Sequence, residues 1–163
     1  MTDEAIDRPL ARLLVWALPI FVLHVIEEAP GFVEWMNAHV EPDISAPLFW
    51  SVNFGGLLLT ALVIGVAWSA PAALAQVLAT AWFSFVMLAN AILHLTAAAV
   101  DRGYAPGAIT AALLYLPFFS WMMVGIARRR KARWEWLLSA GVLGALPMLI
   151  HGYRIVFLGS RLF

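Results

Sequence analysis

Five long apolar stretches separated by short polar breaks leave this chain few folds. They cover about residues 10–28, 47–68, 72–100, 108–127 and 134–158. A helix crosses the roughly 30 Å hydrocarbon core of a bilayer in about 20 apolar residues. No water reaches the backbone there, so its polar groups must pair within helices. The expected fold is all-α, a polytopic membrane bundle of five transmembrane helices. Residues 1–163 are read as a single transmembrane domain. Composition agrees: 63% of residues are hydrophobic and 12% charged, against about 45–50% and 25% in a soluble domain.

Turn chemistry marks the breaks. Pro30-Gly31, Pro42 and Ser45 lie in the first loop with Phe32, Val33, Trp35 and Met36. That mixture predicts a short amphipathic helix at the membrane interface after the first span. Pro19 is expected to bend the first span and free a carbonyl near Val15. Gly55-Gly56 and Gly152 allow close helix approach. The third stretch is longer than a bilayer requires, so it is read as tilted or extended.

The run Arg128–Arg133 holds five of the ten basic residues. The first loop has none, and the third has only Arg102. By the positive-inside rule the N-terminus is cytoplasmic and the C-terminus outside, in an integral cell (inner) membrane. Arg154 and Arg161 run against this assignment and are outvoted. The basic run is read as a topology anchor touching anionic lipid. Asp3, Glu4 and Asp7 do not suit the basic start of a signal peptide, so the first apolar stretch is expected to stay in the protein.

Net charge is zero, which makes nucleic acid an unexpected partner. The chain has no Cys. Disulfides, thiolate metal sites, iron–sulfur clusters and a cysteine nucleophile are therefore excluded. No haem is expected.

The polar residues inside the apolar stretches carry the chemistry. His24, Glu27 and Glu28 stand at i, i+3 and i+4 and share one helix face. His94, Asn90, Asn53 and His151 lie in other stretches. With alternating spans, His24, Asn53, His94 and His151 fall about 6–10 Å below the outer surface at 1.5 Å per residue, and Asn90 lies one turn deeper. Neutral imidazole and carboxylate suit a mononuclear Zn²⁺ or another divalent first-row metal. His24, Glu28, His94 and His151 are the candidate ligands. Glu27 is placed near an open position as a base, with Tyr104 in the third loop as a donor over the layer. Asn90, four residues before His94, is a candidate to orient that ring, and Asn53 to line the site. His39 reads as a solvated histidine. Arg154 reads as a snorkelling side chain, with pairing to Glu27 or Glu28 as its alternative.

His24-Val25-Ile26-Glu27-Glu28, His94 and Tyr104-Ala105-Pro106-Gly107 resemble, in this order, the HXXEE family of small integral membrane proteins. That family is described by an HxxEE motif, a further histidine and a YxPG motif. The resemblance covers most of the chain. It supports the choice of residues and implies no reaction.

The first functional reading is a metal-dependent membrane enzyme, a hydrolase or isomerase. It would act on a lipid or other apolar small molecule near the outer leaflet. A metal-free Glu acid–base enzyme is the second reading. The third is a small-molecule or ion-binding membrane protein whose His/Glu cluster is a binding site or a structural polar network. Beyond membrane lipids and such a substrate no partner is implied.

Overall fold

A computed structural model describes residues 6–162. The reading of the N-terminus as lacking a leader rests on residues 1–5 as well, which lie outside the described residues. The described residues form helices and loops, with no strand among them. Five helices are long and apolar enough to cross a membrane: Arg8–Glu28, Ala46–Ser69, Ala72–Asp101, Ala108–Arg129 and Trp134–Leu158. These are spans one to five. A short helix, Phe32–His39, follows span one.

Local chemistry sets the ends. Asp7 Oδ1 accepts the Leu10 N–H at 3.1 Å, and Pro9 occupies the first turn of span one. Ser45 Oγ accepts the Leu48 N–H at 3.3 Å before span two. Such caps pair donors that a helix start leaves open. Span one breaks at Val15 and Trp16, between helical segments Arg8–Leu14 and Ala17–Glu28. Pro19 has no N–H to give Val15, whose carbonyl instead accepts the Leu18 N–H at 3.3 Å.

Two spans contain wider π-helical turns, Ser84–Ala89 in span three and Ala111–Tyr115 in span four. Each extra residue in such a turn rotates everything after it around the helix axis. Asn90 and His94 follow the first. Pro117 follows the second, and its ring disfavours an ordinary turn before it.

Spans three and five make the closest contact. A Cβ on Gly144 would lie 2.1 Å from the Ala81 carbonyl oxygen. Gly152 packs on Leu93, where a Cβ would meet side-chain carbon at 3.1 Å. Gly56 similarly admits the Phe21 ring, whereas Gly55 has nothing within 4 Å. Glycine here lowers the distance between helix backbones. Spans two and five are the least buried of the five, and their outer faces carry exposed Leu, Val, Trp and Phe. That inversion of the soluble pattern fits a lipid surround.

A polar staple closes the end that carries the basic run. Gln76, fully buried in span three, accepts the Lys131 N–H at 2.8 Å and the Ala132 N–H at 3.1 Å. Its amide donates to Asp7 Oδ2 at 3.0 Å. Arg129 Nε lies 3.7 Å from Asp7 Oδ1. One side chain thus ties span three to the start of span one and to the hinge after span four. The other end of span one, at Glu28, carries the His/Glu cluster.

Candidate metal centre

Three side chains meet at that end. Glu28 Oε1 lies 3.4 Å from His24 Nε2 and 3.0 Å from His94 Nε2. One donor atom from each residue falls within 4.8 Å of the others. His24, Glu28 and His94 are 2%, 4% and 1% exposed, so water does not solvate the group. His24 and Glu28 meet because i and i+4 stack on one helix face. His94 comes from span three, after the π-helical turn.

Neither Nε2 atom makes a hydrogen bond. His24 Nε2 and His94 Nε2 are buried without a hydrogen-bond partner, although each is close to the Glu28 carboxylate. The close approaches therefore lack the direction a hydrogen bond needs.

The His24 tautomer follows from its other nitrogen. His24 Nδ1 lies 2.7 Å from Thr110 Oγ1. Thr110 Oγ1 lies 2.5 Å from Glu27 Oε2. An ionised carboxylate only accepts, so the threonine hydrogen goes to Glu27. Thr110 must then accept from His24 Nδ1–H. That leaves a lone pair on His24 Nε2, facing the Glu28 oxygen 3.4 Å away. Two lone pairs at that distance in a dry site call for a shared cation or proton between them.

Glu27 has a different position from the one its spacing suggests. Its carboxylate accepts the Ile109 N–H at 3.0 Å, the Thr110 N–H at 2.7 Å and the Tyr104 hydroxyl at 2.9 Å. Ile109 and Thr110 are in the first turn of span four, where backbone N–H groups have no helical partner. Glu27 is thus a cap supplied from another helix, and its charge suits the positive end of that helix dipole. Its oxygens are engaged there, by Tyr104, Ile109 and Thr110.

Tyr104 is exposed and reaches the cluster only through Glu27. Partial desolvation, then the Glu27 hydrogen bond, raise the Tyr104 phenol above its usual range. It is held as a donor. Pro106 packs near Gly31, where a Cβ would lie 3.4 Å from the proline ring. Gly107 adopts φ +92°, and a Cβ there would lie 2.8 Å from His94 Cε1 and 2.9 Å from His24 Cε1. Only glycine takes this backbone and leaves both rings in place. The HxxEE and YxPG segments therefore build one object: the tyrosine and first glutamate hold the fourth span, the glycine makes room, and the second glutamate and histidines converge.

His151 lies outside the three-residue group and lines an adjoining cleft. Its Nδ1 accepts the Leu162 N–H at 3.1 Å. The cleft, about 130 Å³, also touches Glu28, Asn53, Asn90 and Arg161. Asn90 Oδ1 is buried without a hydrogen-bond partner, so no bond from it orients His94. Asn53 donates to the Phe49 carbonyl of its own helix at 3.0 Å.

Phe32 and Met36 of the short helix cover the cleft. That helix is latched to the end of span three. Trp35 Nε1 donates to Asp101 Oδ2 at 2.9 Å, and His39 Nε2 lies 3.1 Å from Asp101 Oδ1. His39, read from sequence as merely solvated, has its Nδ1 on the Trp35 carbonyl at 2.7 Å.

Sequence reasoning missed Thr110, Gln76 and Tyr115. Tyr115 packs its ring on His24 with centroids 4.2 Å apart. Thr110 had a usable signal, three residues after the glycine that starts span four. The other two are ordinary residues until the helices are rotated into place.

The fold and site define a helical bundle of membrane type with a buried cluster of two imidazoles and a carboxylate able to hold a metal ion. The family model described as "Protein of unknown function with HXXEE motif" matches residues 15–122, well over half of the chain. The chain belongs to that family. No curated protein and no solved structure gives a match.

Proposed function

We propose that His24, Glu28 and His94 bind a divalent first-row metal, zinc by their donor set, at the centre of a membrane-embedded enzyme. The observation that carries this reading is the unpartnered pair of buried Nε2 atoms facing one carboxylate oxygen. Ligand atoms around one tetrahedral ion stand about 3–4 Å apart, given bonds of about 2.0–2.2 Å. The 3.0 and 3.4 Å separations fall in that range. Three protein ligands leave a position open, as catalytic zinc sites do. A bound ion supplies Lewis acidity and lowers the pKa of coordinated water.

The chain's own residues do the rest. Thr110 holds the His24 ring with its lone pair inward, and Glu27 holds Thr110. Gly107 and Tyr115 confine the rings. The cleft beside Glu28 admits a lipid-like substrate for hydrolysis or isomerisation. The basic run at the opposite end favours a cytoplasmic placement for itself, which puts the centre in the outer leaflet.

Elemental analysis of protein purified without added chelator tests the reading. About one metal per chain is expected, lost in Glu28→Gln, which keeps the shape and removes the anionic ligand. A metal-free preparation that stays metal-free on titration with Zn²⁺ overturns it. The competing metal-free reading takes the 3.0 Å Glu28–His94 approach as an ion pair. It predicts turnover without metal that Glu28→Gln abolishes.

A further inference from the structure

The cleft beside the cluster is lined by both polar and apolar side chains. Glu28, Asn90, His151 and Arg161 bring polar groups to it. Leu48 and Val52 also line it, and both are exposed on span two, 39% and 58%. An opening edged by exposed apolar residues of a spanning helix faces lipid. At about 130 Å³ the cleft holds roughly the liquid volume of four waters. That is room for a head group with its tail trailing out past Leu48 and Val52.

Of the charged residues that line the cleft, Glu28 faces the two imidazoles and Arg161 is the cation. Arg161 lines the cleft together with His151. Guanidinium groups recognise carboxylates and phosphates through charge-assisted hydrogen bonds. Asn90 Oδ1, buried without a donor, can accept one hydrogen bond from the ligand.

We infer that the cleft binds an amphiphile with an anionic head. Arg161 holds the head beside His151, Asn90 accepts from a hydroxyl or amide next to it, and the tail leaves over Leu48 and Val52. This names the substrate class for the function proposed above and rests on it for the chemistry, though the recognition itself needs no metal. The group joining head to tail would lie nearest Glu28 and the metal ligands.

Hexyl phosphate, hexyltrimethylammonium and inorganic phosphate serve as probes for the full chain in maltoside micelles. One-to-one adducts are counted by native mass spectrometry, and the metal content of each sample is measured in parallel. Hexyl phosphate is expected to bind at least about ten-fold tighter than either of the others. Arg161→Gln should cost about ten-fold, the value of one charged hydrogen bond. Arg161→Lys should restore most of it. Equal binding of the cation, equal binding of inorganic phosphate, or indifference to Arg161→Gln each overturns the inference. A metal-free chain that still selects hexyl phosphate through Arg161 sustains it while rejecting the metal centre. A metal-loaded chain that fails to select rejects the inference alone.

Discussion

Gly107→Ala puts a methyl group between the two histidines. The new carbon would sit 2.8 Å from His94 Cε1, 2.9 Å from His94 Nδ1 and 2.9 Å from His24 Cε1. Those distances are roughly 0.5 Å short of ordinary contact, where the packing potential is already steep. The rings cannot both give way, because Tyr115 backs His24 and Phe32 lies near His94 with centroids 6.1 Å apart. Alanine at φ +92° adds about 1–2 kcal/mol of backbone strain. Overpacking adds about 1–3 kcal/mol. The sum, about 2–5 kcal/mol, corresponds to a fall in Tm of about 4–20 °C for a chain of this length. Displaced imidazoles should also weaken metal binding by about 10–100-fold, as loss of a supporting contact does. A thermal melt in detergent reads the first effect and competition with a chelator reads the second. Gly103→Ala is the control, since its nearest neighbour would be 3.7 Å away. If Gly107→Ala melts and binds zinc like Gly103→Ala, the rings are not packed on this turn and the site geometry is wrong.

Other outcomes follow from the same contacts. Thr110→Val removes the group that fixes the His24 tautomer, so zinc affinity should fall by about 10–100-fold while Thr110→Ser keeps it; chelator competition separates the two. Gln76→Leu leaves the buried Ala132 N–H and the part-buried Lys131 N–H without this acceptor and should destabilise the bundle by about 1–3 kcal/mol, seen in a denaturant melt with metal content unchanged. The folded state holds the Tyr104 phenol above its unfolded value of 10.0. Its contribution to stability is complete below pH 10 and is lost as pH rises through the folded value, because the unfolded chain then binds fewer protons. Tyr104→Phe should flatten that alkaline limb, and a stability profile identical to the native chain would show that the Glu27 contact does not form.

Much of this architecture is local and therefore readable from residues. Apolar length sets the spans, and the helices run within about two residues of the expected stretches because caps and prolines such as Asp7, Ser45 and Pro47 act on their immediate neighbours. The pairing of His24 with Glu28 follows from helical periodicity alone. The break at Val15 follows from Pro19.

Which faces meet is not local. His151 lies at a similar depth to His94 and still lines the cleft rather than joining the cluster, because its direction depends on how span five seats Gly144 and Gly152 against span three. Glu27 shares a face with Glu28 by spacing, yet the first turn of span four engages its oxygens. Two π-helical turns reset the directions of Asn90, His94 and Leu116 without any marker in the apolar pattern that precedes them. The sequence by itself determined five membrane-length helices and an HxxEE/YxPG set of residues at one end. Only the packed structure decided which glutamate caps a helix and which faces the imidazoles, since depth is counted along one helix while azimuth is settled between them.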